Sequence, residues 1–345
     1  MEDRIARNCE FWKKAAGSLL AVFLFGGFLC SEGWAQLIPL YVGHASINSR
    51  MSPLWIAAKE GFFRKQGLDV KVVNVRGGTQ ATQALLGGGL DMAYSDPPGT
   101  IAAIAAGAPL VEVMATATVM PYYLVGAPAV KSLADLKGKR VGSSGLGLSA
   151  SRMAIIVGLK HLGLDPDRDK ITLVAAGTEP ERLAGLASGS LAGTVIAPEF
   201  RSKIEQLGLN VLADLRAMTI PWEVGNVVTS RKLLQSQRDV VERAIKALLE
   251  GNAYVLNPVY RSAMIELLKS RLGLKTAQDA AGAYEDTIKY YVLKKPYPYR
   301  EGLQSIIAEV GKIAPSAASL KYEDVADPSI IEKLDKSGYI DGLYR

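Results

Sequence analysis

Cysteine and histidine are nearly missing from this chain of 345 residues, which holds two of each. Both cysteines, Cys9 and Cys30, lie ahead of Ala35, so a chain cleaved after Ala35 has no disulfide, no thiol nucleophile and no thiolate metal site. The two histidines, His44 and His161, belong to no metal-ligand cluster. A G-x-S-x-G nucleophile elbow is also missing, which argues against a serine hydrolase. No strongly basic run accompanies the net charge of +6, and Lys/Arg and aromatics do not cluster, which excludes the usual nucleic-acid footprint. A mild bias toward anionic ligands is compatible with that charge. The one long apolar run, Ala15–Leu29, falls short of the ~20 residues of a membrane span.

That run has the flanks of an export signal. Arg4, Arg7, Lys13 and Lys14 precede it, and Gly33-Trp34-Ala35 follows as a small-residue cleavage site. Cleavage is predicted after Ala35 and the mature protein is expected in the periplasm. An uncleaved anchor is the alternative; lipidation at Cys30 is disfavoured by Gly27-Phe28-Leu29 ahead of it. The remainder is 49% apolar and 21% charged over the whole chain, ordinary globular composition, and is long enough for two domains with full cores.

The organising stretch is Val75–Pro98. Val70–Val75 reads as a strand broken by Gly77-Gly78-Thr79, Ala81, Ala84, Leu85 and Leu86 make a helical stripe, and Leu90–Tyr94 returns to strand before Ser95-Asp96 and two prolines, read as a stop. Two polar spots, Gly78/Thr79 and Ser95/Asp96, therefore fall at strand C-termini, where open α/β sheets bind ligands. The same grammar returns about a hundred residues later. Gly177-Thr178 matches Gly78-Thr79, Gly189-Ser190-Leu191 matches Gly88-Gly89-Leu90, Pro198 matches Pro97, and Arg140-Val141-Gly142 matches Tyr41-Val42-Gly43. A βαβαβ unit used twice predicts two similar lobes with facing strand ends.

Around these units the chain offers several polar candidates. Ser46 and Ser52 flank Arg50 in a loop ahead of a helix expected over Pro53–Gln66; Ser52 reads equally as a helix cap and Met51 as pocket wall or core. Val119-Met120-Pro121 reads as a crossing between lobes, with a plain hairpin as the alternative. Gly145-Leu146-Gly147-Leu148-Ser149-Ala150 fits G-x-G-x-x-A, but the next strand ends in Ala175-Ala176 with no acid for a ribose. The loop is read instead as offering N–H groups from Ser144 to Ser149 to a small anion or polar group. Thr178 with Glu181 is nearly a capping box, Glu199 faces either the crevice or solvent, and Trp222 either walls a ligand or packs in the core. Val224–Thr229 reads as the return crossing, and the chain from Arg231 is mostly helical, with a helix over Thr276–Leu293 and tyrosines 290, 291, 297 and 299 packing near Pro296 and Pro298.

In sequence order, Ala57-Ala58-Lys59-Glu60-Gly61-Phe62-Phe63, Gly67-Leu68-Asp69-Val70, Gly77-Gly78-Thr79, Leu90-Asp91-Met92-Ala93, the stretch Leu133–Gly142 and the tail Ser337–Tyr344 resemble a family. It is that of periplasmic solute-binding proteins of ABC importers, the nitrate/sulfonate/taurine-type group that also holds binders of thiamine-pyrimidine precursors. The resemblance implies an α/β type II binding fold: two βαβαβ lobes, two crossing segments and a helical C-terminal region. The expected division is a signal peptide over 1–35, lobe 1 over 36–118 and again over 223–345, and lobe 2 over 119–222. It also implies a non-enzymatic monomer without cofactor or metal, which hands a small polar or anionic organic solute to an inner-membrane permease. The alternatives are an exported enzyme or a sensory, ligand-presenting protein on the same fold. Carried over by position, the cleft would be lined by Ser46, Met51, Ser52, Gly78, Thr79, Ser95, Asp96, Tyr122, Ser144, Ser149, Thr178, Glu199 and Trp222. The cysteine-rich signature of thiamine-precursor enzymes is missing. An acid at Asp96 favours a ligand with an amine or hydroxyls, unless Asp96 pairs with Arg50.

Overall fold

The computed structural model describes residues 36–75 and 77–345; the expected export signal, with Cys9, Cys30 and Ala35, lies outside them. No helix among the described residues is long and apolar enough to cross a membrane. The strands are β1 (Ile38–His44), β2 (Leu68–Asn74), β3 (Met92–Ser95), β4 (Leu110–Ala117), β5 (Tyr123–Gly126), β6 (Arg140–Ser143), β7 (Thr172–Ala175), β8 (Gly193–Ile196), β9 (Asn210–Asp214) and β10 (Gly225–Ser230). They form two five-stranded sheets, ordered β2-β1-β3-β10-β4 and β7-β6-β8-β5-β9.

The two sheets repeat one plan. In each, the first three neighbours run parallel, and the fourth strand is antiparallel to the third. That fourth strand has come over from the other sheet: β5 follows β4, and β10 follows β9. Residues 118–122 and 215–224 are therefore two crossings, and the hairpin alternative for Val119–Pro121 is excluded because β4 and β5 lie in different sheets.

The matched sequence landmarks have a packing cause. A Cβ at Gly43 on β1 would sit 2.4 Å from Leu90 Cδ1, and one at Gly142 on β6 would sit 2.6 Å from Leu191 Cδ1. Each central strand thus drops its side chain so that a leucine from the following turn can lie over it. Both leucines are buried, at 4% exposure.

The main helices are α1 (Ser52–Lys59), α2 (Gly77–Leu86), α3 (Pro97–Ala105), α4 (Ala150–His161), α5 (Glu179–Ala187), α6 (Arg238–Leu256), α7 (Arg261–Leu272), α8 (Ala277–Asp286) and α9 (Arg300–Gly311). Leu54, Trp55 and Ile56 of α1 join Ala244, Ile245 and Leu248 of α6 and Tyr284 of α8 in one core with the first sheet. A second core holds Leu124, Val141 and Val195 of the second sheet together with Ile101 of α3 and Leu303 and Ile306 of α9.

Three local readings are corrected. The helix read over Pro53–Gln66 ends at Lys59, and Gly61, at φ 76°, turns the chain into a separate short helix, Phe62–Lys65. Left-handed backbone breaks the helix where only glycine adopts it cheaply. Pro97 and Pro98, read as a stop, open α3, because the first turn of a helix needs no N–H from them. The helix read over Thr276–Leu293 ends at Asp286 and continues as a π-helical turn over Thr287–Tyr291, whose Thr287 hydroxyl donates to the Ala283 carbonyl at 2.7 Å.

Candidate functional site

The loop after β1 is folded on its own side chains. His44 Nδ1 lies 2.7 Å from the Ser46 carbonyl oxygen, and Asn48 Nδ2 donates to Ser46 Oγ at 2.9 Å. The turn Ser49–Met51 that follows is buried throughout, and it carries Arg50 to the interior with 6% of its surface exposed. Arg50 Nη1 donates to the Val224 carbonyl at 3.4 Å, and no carboxylate among the described residues forms an ion pair with it. A guanidinium buried with so little direct compensation is costly unless the groups around it are arranged for it.

Those groups come from both sheets, the first crossing and the π-helical turn. Asp96 sits at the N-terminus of α3, Tyr122 ends the first crossing, Glu199 lies on the turn after β8, and Tyr291 closes the π-helical turn. Burial disfavours the Arg50 charge, but Tyr122, Asp96, Tyr291 and Glu199 together hold its pKa above the ordinary value. Burial raises the Asp96 carboxyl, and Arg50 opposes that shift. Glu199 is pushed up to about 7 by burial and by neighbouring Glu179, against the pull of the Ser49 N–H and Arg50. The Ser49 amide donates to Glu199 Oε1 at 3.2 Å. Burial lifts Tyr122 to about 12 and carries Tyr291 well above its usual range.

Several polar side chains of this region have no hydrogen-bond partner among the described residues. Ser49 Oγ, Ser52 Oγ, Ser95 Oγ, Thr116 Oγ1 and the Tyr291 hydroxyl are all buried and unbonded. A Cβ placed on Gly225 would meet Thr116 Oγ1 at 2.2 Å and Arg50 Nη1 at 3.8 Å; one on Gly78 would meet Ser95 Oγ at 3.4 Å and Asp96 Oδ2 at 3.6 Å. At the first place glycine avoids a collision with Thr116, and at the second it sets the backbone directly against Ser95 and Asp96. Buried polar atoms normally find partners, so these unbonded hydroxyls are candidates for contact with an additional polar molecule.

Several expected residues thus meet: Asp96, Tyr122 and Glu199 act electrostatically on Arg50, and Gly78 and Ser95 stand beside Asp96. Ser52 is fully buried in the first turn of α1 with its hydroxyl unbonded rather than capping. Others have structural partners. Met51 and Trp222 pack in the two cores. Ser46 shapes its own loop, and Ser149 caps α4, accepting from the Arg152 amide at 3.4 Å. Thr178 closes a capping box with Glu181, and exposed Ser144 bonds to Ser151 Oγ at 2.8 Å. Exposed Thr79 lines an open groove of about 590 Å³ with Thr82, Leu86, Gly99 and Leu148. Glu179 is a structural acceptor for the Ala197 amide at 2.6 Å, and Arg182 donates to the Gly177 and Val195 carbonyls at 2.7 and 3.2 Å.

Sequence reasoning passed over Arg50 as a site residue, along with Ser49, Thr116 and Tyr291. A basic residue between two serines in a pre-helical loop was a usable signal for Arg50. Tyr291 gave none, because no local pattern shows that the buried face of this turn interacts with Arg50 and Glu199.

Known proteins provide a frame for this arrangement. The sequence matches the family model described as NMT1/THI5 like over residues 48–259, more than half of the chain. It is 29% identical over 119 residues to a 4-amino-5-hydroxymethyl-2-methylpyrimidine phosphate synthase of Saccharomyces cerevisiae, covering 33% of this chain and 34% of that one. A putative binding protein of Brucella abortus is 31% identical over 125 residues, covering 36% and 39%. The match thus spans little more than a third of the curated relatives' lengths. The alkanesulfonate-binding protein of Xanthomonas axonopodis pv. citri bound to MOPS superposes with a TM-score of 0.66 at 20% identity, covering 81% of this chain and 94% of that one. The shared fold is that of periplasmic binding proteins, and the chain belongs to the NMT1/THI5-like family.

Proposed function

We propose that this protein is an extracytoplasmic substrate-binding protein that captures a small polar or anionic organic solute between two lobes and delivers it to an ABC transporter permease. The observation that carries this reading is Arg50, buried beside Asp96 and several unbonded hydroxyls without an ion pair to any described residue. An anionic group of the solute fits the guanidinium, and an N–H or hydroxyl of the same molecule fits the Asp96 carboxylate. A purely anionic solute would leave Asp96 buried beside a like charge, so a solute with both features is favoured. The two crossings, 118–122 and 215–224, are the hinge of this reading, and closure brings Glu199 of the second sheet onto Ser49 of the first. The lobes divide as 36–118 with 223–345, and 119–222. In this reading the leader over 1–35 directs export to the periplasm, where the protein works as a monomer.

The yeast relatives, named as synthases, favour one alternative, an exported enzyme on the same fold. His44, one of two histidines, is buried against the Trp55 ring and bonded within its own loop, a structural environment rather than a catalytic one.

A thermal-shift screen of the full chain against sulfonates and carboxylates, each with and without an amine, tests the proposal. Free solute at about a hundred times its Kd adds about 2.7 kcal/mol, a rise of several degrees. A shift with one compound class and no product formed supports a binding protein; steady turnover of the shifting compound supports the enzyme instead.

A further inference from the structure

Helix α8 is anchored in the first core and bonded to the second half of the molecule at both ends. Ala280, Ala283 and Tyr284 are buried, the latter two in the core under the first sheet. Near its start, Asp279 accepts a hydrogen bond from the Ser202 hydroxyl, on the short helix that follows β8 and Glu199. At its end, Asp286 accepts from Arg216 Nη1 at 2.6 Å, and Arg216 lies on the turn directly after β9.

Arg216 is itself held in place. Its Nε and Nη2 donate to the two Asp214 oxygens at 2.9 and 2.8 Å, and Nη2 also donates to the Tyr123 hydroxyl at 2.8 Å. Its guanidinium carbon lies 4.8 Å from the ring centres of both Tyr123 and Tyr290. Tyr123 belongs to the second sheet and Tyr290 to the π-helical turn that continues α8, so the stack also joins the two halves. The side chain is only 7% exposed, which makes this an organised, desolvated pair rather than a surface contact of little value.

We propose that α8 and the π-helical turn Thr287–Tyr291 form a clasp that holds the two halves closed, with the Arg216–Asp286 pair as its fixed end and the Ser202–Asp279 bond as its opening end. The inference rests on the two-lobed binding reading. The turn couples the clasp to the candidate site: Tyr290 stacks on Arg216, while the next residue, Tyr291, presents a buried, unbonded hydroxyl and interacts electrostatically with Arg50 and Glu199. A solute contact at Tyr291 and the clasp at Tyr290 are thus adjacent in the chain, and occupancy of one biases the other. Interruptions of this π-helical kind recur at functional sites.

The test needs no solute. The full chain carrying Cys9→Ser and Cys30→Ser receives Ser202→Cys and Asp279→Cys, and is treated with dibromobimane, which fluoresces when it joins two nearby thiols. The expected result is rapid crosslinking that slows at least threefold when Asp286→Asn or, separately, Arg216→Gln is added, with an unchanged circular-dichroism spectrum. Equal rates with and without the Arg216–Asp286 pair would overturn the fixed-end role. A failure to crosslink would overturn closure of α8 over Ser202. Because the readout is independent of any ligand, a chain that binds nothing in the solute screen still decides the clasp.

Discussion

The backbone N–H of Ser49 donates to the Glu199 carboxylate across 3.2 Å, joining the turn after β1 of the first sheet to the turn after β8 of the second. Glu199 has few other compensations, and burial with Glu179 nearby pushes its pKa up to about 7. A carboxyl whose folded pKa exceeds its unfolded value of 4.5 binds more protons in the folded state between those limits. Its stabilising contribution is therefore complete below pH 4.5 and is lost as the pH rises through about 7. The ligand-free protein is expected to melt higher near pH 5 than near pH 8. At 1.36 kcal/mol per pKa unit, Glu199 contributes up to about 3 kcal/mol of that difference. Glu199→Gln should flatten this part of the profile, measured by thermal melts across the range; an unaltered slope would move the titration elsewhere.

Arg50 serves both binding and stability. Neighbouring acids and tyrosines hold its pKa above the ordinary value despite burial, so Arg50→Met removes a net favourable charge and leaves Asp96 and Glu199 buried without it. The melting temperature of the ligand-free variant is expected to fall. Loss of charge-assisted contacts to an anionic solute should weaken binding by about 2–4 kcal/mol, roughly thirtyfold to a thousandfold in Kd. Thermal melts of the free variant and calorimetric titration with the solute found by the screen check the two halves, and a variant that binds normally would remove Arg50 from the site.

The repeated architecture was legible because its cause is local. Gly43 and Leu90, and Gly142 and Leu191, must be glycine and leucine for the turn to lie on the strand, so the same letters recur at the same spacing. The family phrases around Gly61, Gly77 and Leu90 gave the fold for the same reason. The site was less legible. Asp96 and Glu199 could be proposed because strand ends are the binding edge of such sheets, but Ser149 and Thr178 occupy similar strand-end loops and cap helices instead. Strand position does not determine whether a hydroxyl turns toward a backbone amide or a cleft. Arg50 and Tyr291 lie far apart in sequence and meet only through tertiary packing, which residue spacing does not encode.

The strand glycines give a matched pair of predictions. Gly43→Ala and Gly142→Ala each drive a methyl into the terminal carbon of a buried leucine, and overpacking of this kind costs about 1–3 kcal/mol. Both variants should melt several degrees lower. Leu90→Val should recover part of the Gly43→Ala loss and leave the Gly142→Ala loss untouched, because each leucine serves its own sheet. Chemical denaturation of the four proteins reads this directly, and rescue across sheets would contradict the local cause.

A second acid pair lies at the junction of the return crossing, β4 and α9. Glu112 Oε2 accepts from Asn226 Nδ2 at 2.9 Å, and Glu223 Oε2 accepts from the Tyr299 amide at 2.7 Å. The remaining oxygen of each carboxyl is buried and meets no donor from any other group, so only a proton held between the two acids satisfies them. Burial raises both groups, Glu112 to about 7 and Glu223 well above the ordinary range, the latter also through the nearby Glu112 charge. Two like charges this close in a dry interior do not ionise together, so the pair retains a proton at neutral pH. By the same sign as for Glu199, folding loses stability as the pH rises through about 7 and continues to lose it beyond, as Glu223 follows. Glu223→Gln keeps a donor and the shape while deleting the second titration. The variant should match the parent near pH 6 and become the more stable of the two near pH 9, whereas Glu223→Ala, which leaves Glu112 buried without that neighbour, should be less stable at both. Melting curves at the two pH values test this: a Glu223 that titrates in its ordinary range in the folded protein would give no relative gain for Glu223→Gln between pH 6 and pH 9.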